Sequence, residues 1–265
     1  MKTARTVSLS VGLVVCALAV GQAQAGSLYF SVDDDADGLY LLDTTTGAAT
    51  HVGASGVTGN TVGLTESGTP GLLYGSKWMT LLLINSDGSG YVDVGGEATE
   101  GLAFDPTTST LYGAINKSFF TMDTATGAKL ANLASPSHDV EGLAYANGAI
   151  YGLAGYSGTR GELLKYDIAD DAWTDLGNIG IEMNLCGLAY DPQAGLLYAK
   201  GSQDSYLYSI DPTTLATIII GDTGIPNGGG LAFVADGGVV PAPGAVLLGA
   251  IGTGLVGWLR KRRTL

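Results

Sequence analysis

The feature that most constrains the fold of this chain is an internal repeat of about 43 residues. Its clearest part is a short segment that begins Gly-Leu-Ala, or Gly-Leu-Thr in the first copy, and recurs at spacings of 38, 41, 45 and 43 residues. The five copies begin at Gly63, Gly101, Gly142, Gly187 and Gly230. Each unit continues with a Leu-Tyr or Ile-Tyr pair, an alternating segment and a fourth short apolar segment. Four short strands separated by Gly, Asp, Pro and Thr turns are typical of a β-propeller blade.

The order of these segments predicts the number of blades. The repeats begin at the second strand of one unit, Leu28-Tyr29, and end at the first strand of another, Leu231 to Phe233. Four complete units lie between them. We therefore predict an all-β, five-bladed propeller in residues 26–238, in which the last inner strand pairs into the N-terminal blade and leaves no free sheet edge.

The repeat units resemble those of the NHL, YVTN and WD-type propellers, most plainly in "GLAFDPTTSTLYG". This resemblance implies the propeller fold and does not identify a ligand, because propellers bind and catalyse very different reactions. The three aspartates that directly precede prolines, Asp105, Asp191 and Asp211, are predicted to form tight turns.

The first 25 residues have the three parts of a secretory signal. Lys2 and Arg5 form a basic start, an apolar helix follows, and Ala23 and Ala25 form an A-x-A cleavage pattern. We expect signal peptidase to cleave after Ala25.

Residues 239–265 also have three parts: a proline-containing spacer, an apolar helix over 244–259 and a basic tail. The residues of this segment that carry the pattern are Val240, Pro241, Ala242, Pro243, Arg260, Lys261, Arg262 and Arg263. Sixteen helical residues span roughly 24 Å, which is less than the ~30 Å hydrocarbon core, so the predicted transmembrane helix is marginal. A plain tail anchor is the alternative interpretation.

This order of parts resembles the PEP-CTERM sorting signal of exosortase-dependent bacterial proteins, although Ala242 stands where a glutamate is usual. The resemblance implies export, insertion of the tail into the inner membrane, and processing by an exosortase-type enzyme near the prolines. The protein would then reach the cell envelope, the surface or the extracellular matrix.

The charge of the chain excludes one class of partner. Six of the 12 Lys and Arg lie in the two end segments, whereas all 25 Asp and Glu lie between them, so the body carries a net charge of about −19. Such a surface repels nucleic acid. The body has one cysteine, Cys186, and therefore no internal disulfide.

No nucleophile, phosphate-binding or zinc motif is present in the sequence. The loops that connect strand four to strand one, and strand two to strand three, are expected to share one face of the propeller. Glu100 and Glu141 precede inner strands of neighbouring blades on this face, with His138 and Asp139 nearby. A carboxylate pair can act as the acid and base of a glycosidase, so these two glutamates are catalytic candidates. One alternative is a carboxylate-lined site for a cation or a sugar, and another is that acidic loops of an acidic chain meet without a function.

The segment "SVDDDADGLY" is a candidate calcium loop. Asp33, Asp35 and Asp37 offer alternating carboxylates, and Leu39 could add a backbone carbonyl. The loop lacks an acid at Leu41 or Thr44, and Asp-Gly is itself a strong hairpin turn. A solvated acidic hairpin is the competing interpretation, and no other cofactor is expected.

The sequence thus predicts an exported propeller with a non-catalytic binding or matrix role. An extracellular polysaccharide is one candidate ligand, but the sequence does not identify the ligand. A secreted carbohydrate-active enzyme that uses Glu100 and Glu141 is the alternative.

Overall fold

The computed structural model describes residues 26–32, 38–52, 61–155 and 161–235. These residues form five four-stranded antiparallel sheets, which confirms the predicted five-bladed propeller. The signal segment 1–25 and the sorting segment 239–265, including the helix predicted over 244–259, lie outside the described residues. Within the four described ranges, the chain forms no helix long and apolar enough to cross a membrane.

The blades follow one another along the chain, and the first blade uses both ends of the body. Blade 1 contains β1 (Gly26–Ser31), β2 (Leu39–Leu42), β3 (Ala49–His51) and β20 (Leu231–Ala235). Blade 2 contains β4 (Gly63–Glu66), β5 (Leu72–Ser76), β6 (Leu81–Asn85) and β7 (Tyr91–Gly95). Blade 3 contains β8 (Gly101–Asp105), β9 (Thr110–Ile115), β10 (Ser118–Met122) and β11 (Lys129–Asn132). Blade 4 contains β12 (Val140–Ala146), β13 (Ala149–Ala154), β14 (Glu162–Asp167) and β15 (Ala172–Asn178). Blade 5 contains β16 (Gly187–Asp191), β17 (Leu196–Lys200), β18 (Tyr206–Ile210) and β19 (Thr217–Asp222).

The ring closes where the last strand pairs with the first. β20 lies antiparallel to β1 and places Phe233 opposite Leu28 and Ala235 opposite Gly26. The amide of Ser31 adds a hydrogen bond to the carbonyl of Gly230, at 2.9 Å. This pairing confirms that the C-terminal inner strand completes the N-terminal blade.

The repeated glycine is explained by the close approach of the five inner strands around the axis. A Cβ on Gly63 would lie 2.6 Å from the carbonyl oxygen of Glu100, and one on Gly101 would lie 2.9 Å from that of Glu141. Gly142, Gly187 and Gly230 face the backbone of the next blade in the same way. Any side chain at these positions would push neighbouring blades apart.

The centre of the channel is filled by the leucine that follows each of these glycines. These five leucines are at most 2% exposed: Leu64, Leu102, Leu143, Leu188 and Leu231. They leave no space for water at mid-height, so the two ends of the channel are separate.

The rest of the apolar core lies between neighbouring blades. Phe119 of blade 3 packs edge-on against Tyr166 and Trp173 of blade 4, with ring centroids 4.7 and 5.0 Å apart. Such aromatic contacts between blades stabilise a ring that has no disulfide in the described residues.

The two faces of the disc carry different connections. We call the face with the strand-four-to-strand-one and strand-two-to-strand-three loops the upper face, and the face with the other hairpins the lower face. On the lower face, Asp105, Asp191 and Asp211 each accept a hydrogen bond of 2.8 Å from the amide two residues later. These three aspartates form turns, as the sequence predicts.

Candidate functional site

The upper end of the channel holds both glutamates that the sequence singles out. Glu100 and Glu141 line a cavity of about 10 Å³, which we call the upper cavity. This is about the room that one water molecule needs. The other residues around this cavity are Val62, Trp78, Leu185, Cys186 and Gly229.

Glu141 is almost fully buried in the upper cavity, with 7% of its surface exposed. Its Oε2 packs against Gly155 and accepts a hydrogen bond from the amide of Cys186 at 3.3 Å. Burial raises the pKa of the Glu141 carboxyl to about 7, and the negative charge of Glu100 adds to the shift. The carboxyl group therefore keeps its proton to a much higher pH than an exposed glutamate does.

The two carboxyl groups of the upper cavity could act as an acid–base pair, but the cavity is too small for a sugar ring. Glu100 Oε2 accepts a hydrogen bond from the amide of Asn116 at 3.5 Å, so both glutamates contact backbone amides. A glycosidase must hold a sugar ring between its two carboxyl groups, and the described residues enclose only a water-sized space. His138 does not line this cavity and pairs with Asp175 at 3.0 Å.

The candidate calcium loop is described only at its end. Asp33, Asp35 and Asp37 lie outside the described residues. The side chain of Leu39 is fully buried in the core, and its carbonyl accepts a hydrogen bond from the amide of Val52 at 2.8 Å. In the part of the chain that the structure describes, no three His, Cys, Asp or Glu residues gather as a metal site. Calcium binding stays a prediction.

Lys200 is a buried charge near the upper face that holds loops together. It is fully buried, and its Nζ donates to the carbonyl oxygens of Gly201, Asp204 and Asn227 at 2.9, 3.1 and 3.1 Å. Burial lowers the pKa of the lysine to about 8. Nζ also lies 5.4 Å from the ring centroid of Phe30 in blade 1. Lys200 therefore joins blade 5 to the closing blade, and its three protons are used by carbonyls.

The lower end of the channel opens into a much larger depression, which we call the lower cavity. Its volume is about 530 Å³, and all five blades contribute to its wall. The lining residues are Glu66, Pro106, Thr107, Tyr145, Ala146, Asn147, Tyr190, Pro192, Phe233 and Ala235. A concave site of this size on the propeller axis is a common position for a ligand.

Aromatic rings at one repeated position surround the lower mouth. The residue that follows Gly-Leu-Ala at the end of the inner strand is Phe104, Tyr145, Tyr190 or Phe233 in blades 3, 4, 5 and 1. Tyr190 Oη accepts a hydrogen bond from the side-chain amide of Asn147 at 3.3 Å. The tyrosine rings are partly exposed, whereas both phenylalanines are buried.

In blade 2 the same position is occupied by Glu66. This carboxylate is partly buried, and burial raises its pKa. The Glu66 carboxylate has no hydrogen-bond or ion-pair partner among the residues that the structure describes. It lines the lower cavity, a narrow extension of about 30 Å³ toward the axis and a neighbouring depression of about 370 Å³.

Sequence reasoning looked for a site on the upper face and missed Glu66. The signal was present, because the repeat alignment places an acid where the other four units have an aromatic residue. That contrast marks a position at which the fold itself does not require a carboxylate.

Comparison with known proteins supports the propeller fold. No family model matches the chain, and no curated protein matches it. A chain in the crystal structure of a nidogen/laminin complex superposes with a TM-score of 0.56 at 10% sequence identity. The match covers 80% of this chain and 99% of that one. At this identity the likeness shows a shared propeller architecture.

Proposed function

We propose that this protein is an exported, non-catalytic binding propeller whose ligand occupies the lower cavity. The observation that supports this best is the lower cavity itself, which draws on all five blades and combines aromatic rings with one carboxylate that has no partner among the described residues. The similar fold in the nidogen/laminin complex is consistent with a protein-binding role, since that propeller-like chain comes from a complex between proteins.

Export and sorting are supported by the two end segments. A signal cleaved after Ala25 would leave Gly26, the first residue of β1, as the mature N-terminus. An exosortase-type enzyme that acts near Pro241 and Pro243 would cut only a few residues after β20 ends at Ala235. Both cleavage sites would then lie directly outside the propeller, and the ring would stay intact. Terminal sequencing and the intact mass of the protein recovered from its host test this proposal: a mature chain that still contains Ala23 would contradict it.

The binding role can be tested with one variant that fills the cavity. Ala235 is exposed at the rim of the lower cavity, so Ala235→Trp is expected to fill part of the space without disturbing the core. Val92→Trp on the exposed outer strand of blade 2 is the matched control, since Val92 is 62% exposed. We expect the purified full chain to bind at least one member of an array of polysaccharides and basic, acidic and neutral peptides, and Ala235→Trp alone to lose that binding.

The enzymatic alternative is tested on the same polysaccharides. We expect no released sugar from any of them. Product formation that disappears in both Glu100→Gln and Glu141→Gln would overturn the non-catalytic proposal. Binding that survives Ala235→Trp would overturn the assignment of the ligand to the lower cavity.

A further inference from the structure

The lower cavity has the chemistry of a site for a cation. Glu66 is the only Asp, Glu, Lys, Arg or His among its described lining residues, so the one formal charge inside it is negative. The turns at its rim add Asp105 and Asp191, each next to a lining proline. A partly buried carboxylate with no partner is unfavourable, and a cation that enters the cavity would remove that cost.

The walls of the cavity favour a cation on an apolar stem. Tyr145, Tyr190 and Phe233 surround the space in front of Glu66, and aromatic faces attract cations as well as methylene groups. The narrow extension that Glu66 also lines is bounded mainly by apolar and aromatic residues, Leu143 and Leu188 among them, together with Thr65. A hydrated inorganic ion has no apolar stem that could pack against such walls.

Among the residues that the structure describes, the basic side chains leave the site open to an external cation. Lys200 is held by three carbonyls near the upper face, and Lys117 donates to the carbonyl of Ser137 on that face. None of the described lysines lines any of the three depressions that Glu66 borders. The body as a whole, at about −19, attracts a basic partner.

We propose that the lower cavity binds the side chain of a lysine presented by a partner protein, with the ammonium on Glu66 and the methylene stem between the aromatic residues. This inference rests on the proposed binding function and names the chemistry that the cavity selects. An amino sugar also carries an ammonium, but on a rigid ring without a long apolar stem that could enter the narrow extension of about 30 Å³.

The probe is a nine-residue Gly/Ser peptide with one central lysine, acetylated and amidated at its ends. A second peptide has norleucine in place of lysine, and a third probe is a glucosamine oligomer. Binding of each to the purified full chain is measured by calorimetry. We expect the lysine peptide to bind at least about tenfold more tightly than the norleucine peptide, because a hydrogen-bonded charge pair contributes that much.

Two variants of Glu66 separate a loss of binding from a loss of folding. Glu66→Gln removes the charge and should weaken lysine-peptide binding at least about tenfold. Glu66→Phe installs the residue that blade 3 has at this position, so it should fold and still lose the binding. Glu97→Gln, an exposed acid of the upper face, is the matched control and should change nothing.

The outcomes separate this inference from the proposed function. Equal binding of the lysine and norleucine peptides, or lysine binding that survives Glu66→Gln, would overturn the lysine site. Tighter binding of the glucosamine oligomer than of the lysine peptide would also overturn the lysine site. If Ala235→Trp then weakened binding of the oligomer, the lower cavity would still be supported as the binding site.

Discussion

Glu66 and Phe104 occupy equivalent positions at the lower ends of neighbouring inner strands, each paired across the sheet with a leucine of the second strand. Glu66 lies opposite Leu73, and Phe104 lies opposite Leu111. The fold therefore accepts a buried ring at this position, and blade 2 has a carboxylate instead. This exchange gives the lower cavity the one charge among its described lining residues, and the proposed function depends on that charge.

The ring of inner glycines should tolerate no side chain. Gly63→Ala would place a Cβ 2.6 Å from the carbonyl oxygen of Glu100, which is backbone and cannot rotate away. We expect a loss of about 3 kcal/mol in the free energy of unfolding. Gly148→Ala is the control, because that loop glycine has a φ of +84° but no atom near its Cβ, and it should cost only about 1 kcal/mol. Equal losses in denaturant unfolding would contradict the packing account.

Lys200 should make the free energy of unfolding increase with pH in the alkaline range. The pKa of Lys200 is about 8 in the folded protein, whereas an ordinary lysine, as in the unfolded chain, has a pKa of 10.5. Between pH 8 and pH 10.5 the unfolded chain therefore binds more protons than the folded protein. The free energy of unfolding should therefore rise between pH 8 and pH 10.5, by up to roughly 3 kcal/mol. Lys200→Met should remove this rise, whereas the exposed Lys117→Met should keep it.

The same lysine should also contribute to stability at neutral pH. Lys200→Met leaves three carbonyl oxygens without their donor, and we expect it to cost about 2 to 3 kcal/mol at pH 7. Chemical denaturation compared with Lys117→Met measures the difference. A fully stable Lys200→Met protein would show that the carbonyls find other donors.

Glu141 should have the opposite effect: it should make the free energy of unfolding fall as the pH rises from about 4.5 to about 7. Burial raises its folded pKa from 4.5 to about 7, so the folded state binds the extra proton. This contribution to stability is present below pH 4.5 and is lost as the pH rises through 7, by about 2 to 3 kcal/mol. Glu141→Gln should be insensitive over this range, while Glu97→Gln should behave as the wild type. Denaturant unfolding at pH 5 and pH 8 measures both.

We expect the aspartate loop to behave as an acidic hairpin. The carbonyl of Leu39 is already used by Val52, and no acid stands at Leu41 or Thr44. The midpoint of thermal unfolding should then be the same in 1 mM calcium and in chelator. A calcium site with a Kd of ~0.1 mM would instead gain about 1.4 kcal/mol and raise the midpoint by about 3 to 5 °C. A rise that vanishes when Asp33, Asp35 and Asp37 are changed to Asn would establish the metal site.

The propeller could be predicted in detail because its main determinant is local and repeated. Strand order, blade number and the closure of blade 1 follow from where the Gly-Leu-Ala segments stand along the chain. The turn aspartates, such as Asp105, also follow from local chemistry, since the amide that each one binds is two residues away.

The candidate site could not be predicted as fully, because it depends on distances across the ring. Glu66 and Tyr190 are 124 positions apart in the sequence, and both line the same cavity. The burial of Lys200 and its three carbonyl partners likewise depend on how two loops fold over it. Glu100 and Glu141 were identifiable as neighbours on one face, but the small space around them was not.

The central claim is that the lower cavity is the binding site, and nuclear magnetic resonance tests it most directly. The isotope-labelled full chain is titrated with the lysine peptide, and backbone amide shifts are followed residue by residue. We predict that the shifts concentrate at Glu66, Tyr145, Tyr190 and Phe233 and disappear in Glu66→Phe. Shifts that concentrate instead at Glu100 and Glu141, or an unchanged spectrum at millimolar peptide, would contradict the account.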